Sequence, residues 1–308
     1  DEAVRASAWP GSYYVDADHI GLGTVDKFLG PCDFFTVDVA DDIGKPAAAD
    51  SVDAFLAAMS RFTGAFRIPG LSSVIEVTEE LLRNVAGKYL FAVEEAGRVY
   101  RYIAGRKGPT DFITEVSFDE AGAPQTPAEL FFILAAVARE RIPAQTVAPK
   151  FSGAFLKGIE YVGDIQQFAR EFEEDLAVVK FARESFGLPA NLKLSIHSGS
   201  DKFSLYPIIH RAIMNAGAGL HLKTAGTTWL EEVIGLAAAG WDGLALARDI
   251  YAAAVARFDE LAKPYLAVID IDRAKLPSAA AVKSWSSSEF VGALDHDHGV
   301  GPFWHHRT

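Results

Sequence analysis

The sequence predicts an α/β fold, and within that class a TIM-like (β/α) barrel formed by one domain over residues 1–308. Segments with strand and helix patterns alternate along most of the chain, which is typical of parallel sheets with right-handed crossovers. Polar residues follow nearly every candidate strand, whereas an open doubly wound sheet would concentrate them at one switch point. No glycine-rich dinucleotide motif follows the first strand and no P-loop occurs, so nucleotide cofactors are disfavoured.

Strands are predicted where β-branched and aromatic residues are frequent, or where apolar and polar residues alternate. The predicted strands cover residues 12–19, 33–38, 112–118, 145–148, 192–197, 220–223 and 266–269. The second of them, Asp-Phe-Phe-Thr-Val-Asp, is apolar enough to be buried on both faces of a sheet.

Helices are predicted where apolar residues recur at intervals of three or four positions. The predicted helices cover residues 51–62, with Ser51 as the cap, 126–141, 165–186, 229–238 and 244–261. Thr126 is followed by Pro127 and, three residues after the threonine, by Glu129, which is the pattern of a capped helix start. Residues 67–108 are predicted as an insertion with a helix at 78–85 and a β-hairpin that pairs 89–93 with 99–103.

The charge and composition exclude several classes of function. A net charge of −12 argues against a nucleic-acid surface or an anionic membrane surface, because both require a basic footprint. The single cysteine, Cys32, cannot form an internal disulfide and is expected to be a buried thiol. No stretch has the apolar length of a membrane span, and the first residues lack a signal-peptide pattern. We therefore expect a cytoplasmic enzyme.

Two neighbouring strands place polar side chains in a row. In residues 192–197 the side chains of Lys193, Ser195 and His197 lie on one face, opposite three apolar residues. In residues 220–223, His221 and Lys223 share a face in the same way. Because such a row needs polar surroundings, we expect it at the carboxyl-terminal mouth of a barrel.

Three histidines, His19, His197 and His221, stand at or just beyond predicted strand ends. A single histidine is most often structural, but three at separate strand ends favour a divalent metal ion, with Zn, Mn, Fe, Ni or Co suited to imidazole ligands. Carboxylates that would complete the ligand set, or serve as a base, are Asp16, Asp18, Asp38, Glu115, Asp119 and Glu120.

Three lysines, Lys150, Lys202 and Lys223, also follow predicted strands. Positive charge at strand ends of an acidic protein favours an anionic ligand, such as a carboxylate or a phosphate.

Several motifs of the chain resemble those of the tagaturonate epimerases of hexuronate catabolism. The matching segments are Tyr-Val-Asp-Ala-Asp-His-Ile-Gly-Leu (14–22), Phe-Phe-Thr-Val-Asp-Val-Ala-Asp (34–41), Ser-Phe-Asp-Glu (117–120), Ala-Pro-Lys-Phe-Ser-Gly (148–153), His-Ser-Gly-Ser-Asp-Lys-Phe-Ser (197–204) and His-Leu-Lys-Thr-Ala-Gly-Thr-Thr-Trp (221–229). The resemblance implies a metal-dependent barrel enzyme that interconverts D-tagaturonate and D-fructuronate, two keto sugar acids that differ at the fourth carbon. It further implies that some members act on tagatose and fructose.

The resemblance also implies roles for individual residues. His19, His197 and His221 are expected among the metal ligands, with Asp18 and Glu120 as the acid and base. Substrate contacts are expected from Asp16, Lys150, Ser198, Lys202, Lys223 and Thr227. The partner would be a keto sugar acid or a ketohexose, and a homo-oligomer is compatible with the sequence. A metal-dependent aldolase or sugar isomerase, and a sugar-acid binding protein without catalysis, are the alternatives.

Overall fold

A computed structural model of the chain describes residues 2–157, 160–224, 227–266, 269 and 271–294, with the side chains of residues 2, 3 and 227–231 outside the description. The chain divides into two compact units, which are described separately. The first unit contains the chain up to Phe151, together with Arg170–Ser195 and Ile213–His221. The second contains Ser152–Ala169, Ile196–Ala212 and the described residues from Leu222 onward.

Strands and helices alternate through most of the chain. The strands are β1 (Asp16–Ile20), β2 (Phe34–Asp38), β3 (Gly64–Phe66), β4 (Ile75–Val77), β5 (Ile113–Ser117), β6 (Thr146–Ala148), β7 (Lys193–His197) and β8 (Leu220–Lys223). The helices are α1 (Glu2–Ala6), α2 (Ala49–Met59), α3 (Glu79–Val85), α4 (Phe91–Lys107), α5 (Pro127–Arg139), α6 (Ile165–Phe186), α7 (Tyr206–Ala216), α8 (Thr227–Ala238), α9 (Trp241–Ala256), α10 (Phe258–Ala262), α11 (Ala279–Lys283) and α12 (Ser287–Leu294).

Six strands form one sheet in the order β1-β2-β5-β6-β7-β8, so each strand lies beside the next main-sheet strand along the chain. The pairs from β1 to β7 are all parallel. The α/β prediction is confirmed. Among the described residues the sheet is open, with β1 and β8 at its two edges. In the register of the sheet, Glu115 lies opposite Thr36 on one side and Thr146 on the other.

Phenylalanine rings form much of the core of the first unit. The ring of Phe131, from α5, lies 5.2 Å from Phe62, 5.0 Å from Phe66 and 4.8 Å from Phe186. Residues 130–137 of α5 are buried without interruption, because the helix is covered on all sides. Cys32 is buried, as its lone occurrence predicts.

The core of the second unit is smaller and helical. It is formed by Val233, Ala237, Leu244, Ala247, Val282 and Phe290, which come from α8, α9, α11 and α12. None of the described helices combines the length and the apolar character required to cross a bilayer.

The predicted hairpin of residues 89–103 is wrong, because this stretch is helical from Glu79 to Lys107, with a π-helical turn at Ala86–Leu90 between α3 and α4. Its apolar residues instead form one buried face at helical spacing, with Val93, Ala96, Val99 and Ile103 among them. Gly97 faces the side-chain ends of Glu140 and Arg101, which would have to shift to admit a larger residue. The hairpin of this region is antiparallel β3 and β4, just before α3.

Other predicted boundaries differ in detail. The capping box of α5 is confirmed, with the Thr126 hydroxyl accepting from the Glu129 amide. Ser51 is not the cap of α2, which begins after Ala48, because the Ser51 hydroxyl donates to Glu94. The helix predicted over residues 244–261 is divided into α9 and α10. The predicted strand 266–269 falls partly outside the described residues.

Candidate active site

A layer of polar side chains crosses the interior of the first unit, with one residue from each of the six main-sheet strands. We call these residues the buried layer: Asp16, Thr36, Glu115, Thr146, Ser195 and His221. Thr36, Glu115 and Ser195 are fully buried. Polar groups remain in a protein interior only when hydrogen bonds replace their lost water, so the contacts within this layer account for its presence.

Glu115 is the centre of the buried layer. Its Oε2 atom accepts a hydrogen bond of 2.6 Å from the Thr146 hydroxyl. The hydroxyl of Thr36 donates to the carboxylate of Asp16, whose oxygens lie at 3.1 and 3.0 Å, and it lies 3.4 Å from Oε1 of Glu115. The register of the parallel strands brings these side chains together, since Thr36, Glu115 and Thr146 are paired residues on one face of the sheet.

His221 joins the same layer from β8. Its Nδ1 atom lies 2.9 Å from Glu115 Oε2 and 3.2 Å from the Ser195 hydroxyl. Its ring packs on Phe34, with the ring centroids 4.9 Å apart and the planes tilted by 41°. The imidazole is therefore fixed on one edge by hydrogen bonds and on one face by an aromatic ring.

A β-bulge sets the direction of His19 at the end of β1. Ala17 is opposite Phe35 and Ile20 is opposite Val37, so β1 has one residue more than β2 over this interval. His19 has a φ of +51°, in the left-handed region that a residue with a side chain adopts at a cost. Bulges re-aim side chains in this way beside functional sites.

The re-aimed imidazole meets carboxylates from two other segments. Nδ1 of His19 lies 3.1 Å from Asp38 Oδ2, at the end of β2. Ligand atoms of His19, Asp38 and Glu120, the last just beyond β5, all lie within 4.8 Å of one another. We call these three residues the acidic rim. Asp18 lies beside it, with Oδ1 at 3.7 Å from His19 Nε2 and a side chain that is 62% exposed.

The environment of Glu120 raises the pKa of its carboxyl group above the ordinary value. Partial loss of water around the carboxyl is the largest cause, although the residue as a whole is exposed. The negative charge of Asp38 acts in the same direction, and His19 opposes both. A carboxyl group with a raised pKa keeps its proton to a higher pH than an ordinary carboxyl group, which suits it to proton transfer.

The donor atoms of the acidic rim fit a divalent metal ion. One imidazole and two carboxylates are ligands that zinc, manganese, iron, nickel and cobalt accept. Asp38 is also oriented by its second oxygen, which accepts from the Ala40 amide at 2.9 Å. A hydrogen bond to the second oxygen of a ligating carboxylate, which fixes its orientation, is usual in metal sites.

The remaining predicted residue of the first unit, Lys150, follows β6. Its ammonium donates to the Asp119 carbonyl oxygen at 3.2 Å, and its backbone amide donates to Gln125 Oε1 at 2.8 Å. Since Asp119 is adjacent in sequence to Glu120, the lysine lies close to the segment that contributes Glu120 to the acidic rim.

In the second unit, the loop after β7 is tightly organised around Ser198, which is buried. The amide and the hydroxyl of Ser198 both donate to the Lys223 carbonyl oxygen, at 2.8 and 2.7 Å.

His197 ends β7 and Lys223 ends β8, and both side chains are partly exposed. Thr227 begins α8, and its side chain lies outside the described part of the chain.

Lys202 lies in the same loop and is only 1% exposed. Its ammonium donates to the carbonyl oxygens of Leu156 and Ser200, at 3.1 and 2.7 Å, and to the Ser200 hydroxyl at 3.0 Å. Burial lowers the pKa of this lysine to about 8, against the opposing influence of Glu160 and Asp201. An ammonium has three donors, so these contacts favour a role in holding the loop.

Two members of the buried layer, Thr36 and Thr146, were not predicted from the sequence. The signal that identifies them is a hydroxyl residue inside an otherwise apolar strand, as in Phe-Phe-Thr-Val and Gln-Thr-Val-Ala. Glu115 is predicted as an oxygen ligand or base, and the structure places hydroxyls and an imidazole around it.

Histidine and carboxylates at the carboxyl ends of parallel strands are the arrangement in which α/β enzymes place their active sites. The chain belongs to the tagaturonate epimerase family (UxaE), whose model matches residues 3–299.

Individual relatives agree with this family. The tagaturonate/fructuronate epimerase of Thermotoga maritima is 35% identical over 214 residues, which cover 69% of this chain and 41% of the relative. The native crystal structure of the fructuronate-tagaturonate epimerase UxaE from Cohnella laeviribosi is similar, with a TM-score of 0.71 and 27% identity. A form of that protein with one glycerol has a TM-score of 0.72 and 26% identity. Both structures match over 95% of this chain and 58% of their own. The chain thus spans about half the length of these relatives.

Proposed function

We propose that this chain catalyses epimerisation at the fourth carbon of a keto sugar acid and interconverts D-tagaturonate and D-fructuronate. The family match over residues 3–299 is the observation that supports this proposal most strongly. The acidic rim supports it independently, because inversion of a carbon that bears a hydroxyl requires proton transfer, and Glu120 has a carboxyl group suited to that task. Tagatose and fructose are proposed as further substrates of the same site.

We propose further that the six parallel strands are part of a (β/α) barrel. Their spatial order follows their order in the chain without a reversal, as in a barrel and unlike a doubly wound sheet. The predicted insertion at residues 67–108 stays part of this proposal, with helices in place of the predicted hairpin.

A divalent metal ion is proposed as the cofactor, with His19 and Asp38 as first-unit ligands, while Glu120, which lies within reach of the same ion, keeps the acid and base role. The ligand roles of His197 and His221 remain proposals that rest on their sequence motifs. When bound, the ion would stabilise negative charge that develops on substrate oxygens.

The residues of the chain suggest how the reaction proceeds. A carboxylate of the Asp18 and Glu120 pair removes the proton from the hydroxyl on the fourth carbon. The bond between the third and fourth carbons then breaks, its electron pair moves to the adjacent carbonyl group, and the fourth carbon becomes an aldehyde. Rotation of the aldehyde and re-formation of the bond invert the centre, and the second carboxyl returns the proton.

The experiment that tests the proposal is conversion of tagaturonate by the purified protein before and after treatment with EDTA. We expect fructuronate to form, conversion to stop after chelation, and Mn²⁺ or Zn²⁺ to restore it. Cleavage products without an epimer would identify an aldolase. Binding of tagaturonate that survives chelation, without conversion, would identify a sugar-acid binding protein.

A further inference from the structure

We propose that Glu115 is a positioning residue that holds His221 with its proton on Nδ1, so that the Nε2 lone pair is available to a metal ion. The proposal rests on the proposed function, because it assigns a task to His221 in that site. It starts from the 2.9 Å contact between His221 Nδ1 and Glu115 Oε2. A contact of this length is a hydrogen bond, so the question is which atom holds the hydrogen.

The contacts of Glu115 converge on one oxygen of its carboxyl group. Oε2 also accepts from the Thr146 hydroxyl at 2.6 Å, a length typical of a hydroxyl that donates to a carboxylate. The Thr36 hydroxyl lies 3.4 Å from the other oxygen and closer to both oxygens of Asp16. Two neighbours therefore meet the same oxygen, and a carboxylate oxygen with two lone pairs can accept from both when the hydrogen between Oε2 and Nδ1 lies on the imidazole.

The surroundings of the ring leave one edge accessible. The side chain of His221 is 28% exposed, whereas Glu115 is fully buried. Nδ1 is turned toward buried Glu115 and Ser195, and Phe34 covers one face of the ring. These partners leave the other face of the ring and the edge that carries Nε2 as the sides that a ligand could approach.

A neutral imidazole can donate from one nitrogen and accept at the other, and the partner of the first nitrogen decides which one accepts. Carboxylates behind histidine ligands fix both the tautomer and the ring orientation, and their loss typically costs about 10- to 100-fold in metal affinity or activity. Glu115 has the position and the charge for this task, although it cannot itself reach the exposed edge of the ring.

The tautomer can be measured directly. We would label the metal-free protein with ¹⁵N-histidine at pH 8 and record two-bond ¹H–¹⁵N correlations, with His221→Gln to identify the signal. We expect the proton of His221 on Nδ1 in the wild type. A proton on Nε2, or a doubly protonated ring, would overturn the proposal without any variant.

Two variants extend the test to metal binding. In Glu115→Gln, which keeps the size of the side chain, we expect Zn²⁺ to bind about 10- to 100-fold more weakly to the metal-free protein. Thr146→Val is the matched control, since it removes one hydrogen bond to the same oxygen but keeps the carboxylate, and its Zn²⁺ affinity should change less than about three-fold. Glu115→Met replaces Glu115→Gln if the latter fails to fold.

The outcomes separate this proposal from the proposed function. Equal Zn²⁺ affinity in Glu115→Gln and the wild type would refute the positioning role, even if the wild type converts tagaturonate. A wild type with the proton on Nδ1 and weakened Zn²⁺ binding in Glu115→Gln, but without conversion of tagaturonate, would support the positioning role and refute the epimerase proposal.

Discussion

Glutamate occurs both in the interior of the sheet and at its carboxyl-terminal edge, buried in the first place and exposed in the second. Glu115 is fully buried, and one of its oxygens accepts from Thr146 and faces an imidazole. Glu120, five positions later, is exposed and lies beside His19 and Asp38. The second unit repeats the contrast, with Lys202 buried among protein oxygens and Lys223 partly exposed.

This difference indicates that buried and exposed charged residues have different roles in the site. Buried charges that are fully hydrogen-bonded have one orientation, so they can fix the position of a neighbour. Exposed charges keep acceptor or donor capacity for a ligand, so they are the groups that can exchange protons or bind an ion. We expect substitutions at the edge to reduce activity more than stability.

The largest effect is expected from the acid and base at the edge. Glu120→Gln and Asp18→Asn should each reduce turnover of tagaturonate at least about 100-fold, in line with loss of a general acid or base. Both residues are exposed, so the midpoint of urea unfolding should stay unchanged. Asp41→Asn, an exposed carboxylate near the same edge, is the control and should retain turnover. Full activity in both variants would make the two carboxylates structural.

Metal content is expected to respond to His19. His19→Ala removes the imidazole of the acidic rim and should weaken Zn²⁺ binding at least about ten-fold, as measured by titration of the metal-free protein. His210→Ala, an exposed histidine on α7, should bind Zn²⁺ as the wild type does. Unchanged affinity in His19→Ala would exclude this histidine as a ligand.

A smaller effect is expected from the two lysines. If Lys223 recognises the substrate carboxylate, Lys223→Ala should lose about ten-fold more kcat/KM on tagaturonate than on tagatose, since a charge-assisted hydrogen bond contributes about 1.5–3 kcal/mol. Lys202→Ala should affect both substrates equally, because its ammonium already faces three protein oxygens. The reverse pattern would assign carboxylate recognition to Lys202, as its sequence motif predicts.

The smallest effect concerns pH and stability. Lys202 has a pKa of about 8 in the folded protein, below its ordinary value of 10.5, so the unfolded chain binds more protons between these values. The cost of the buried charge is fully present below about pH 8 and is relieved as the pH rises. The free energy of unfolding in urea should therefore increase more from pH 8 to pH 10 in the wild type than in Lys202→Met. Equal pH dependence would indicate an ordinary lysine.

Much of the sheet could be predicted from the sequence, whereas the precise site could not. Alternation and apolar runs identify β2, β5, β7 and β8, and the Thr126 pattern identifies the start of α5. Local patterns fail in α4, where β-branched residues at helical spacing suggested strands, because tertiary burial decides between the two.

The features of the site that could not be predicted depend on contacts between residues far apart in the sequence. The bulge that turns His19 toward Asp38 depends on the pairing of β1 with β2. The contact between Glu115 and His221 joins residues 106 positions apart, and it requires the order of all the strands between them. Residue types at strand ends predict which chemistry is available, but strand order decides which residues meet.

The measurement that tests the central claim most directly uses D-tagaturonate deuterated at the fourth carbon. The product is analysed by NMR after incubation with the wild type and with Glu120→Gln. We predict that the wild type forms D-fructuronate with the deuterium retained at the fourth carbon, because bond cleavage and re-formation leave that C–D bond intact, and that Glu120→Gln forms at least about 100-fold less. Loss of the label to solvent would contradict the cleavage route, and the absence of fructuronate from the wild-type reaction would contradict the epimerase proposal itself.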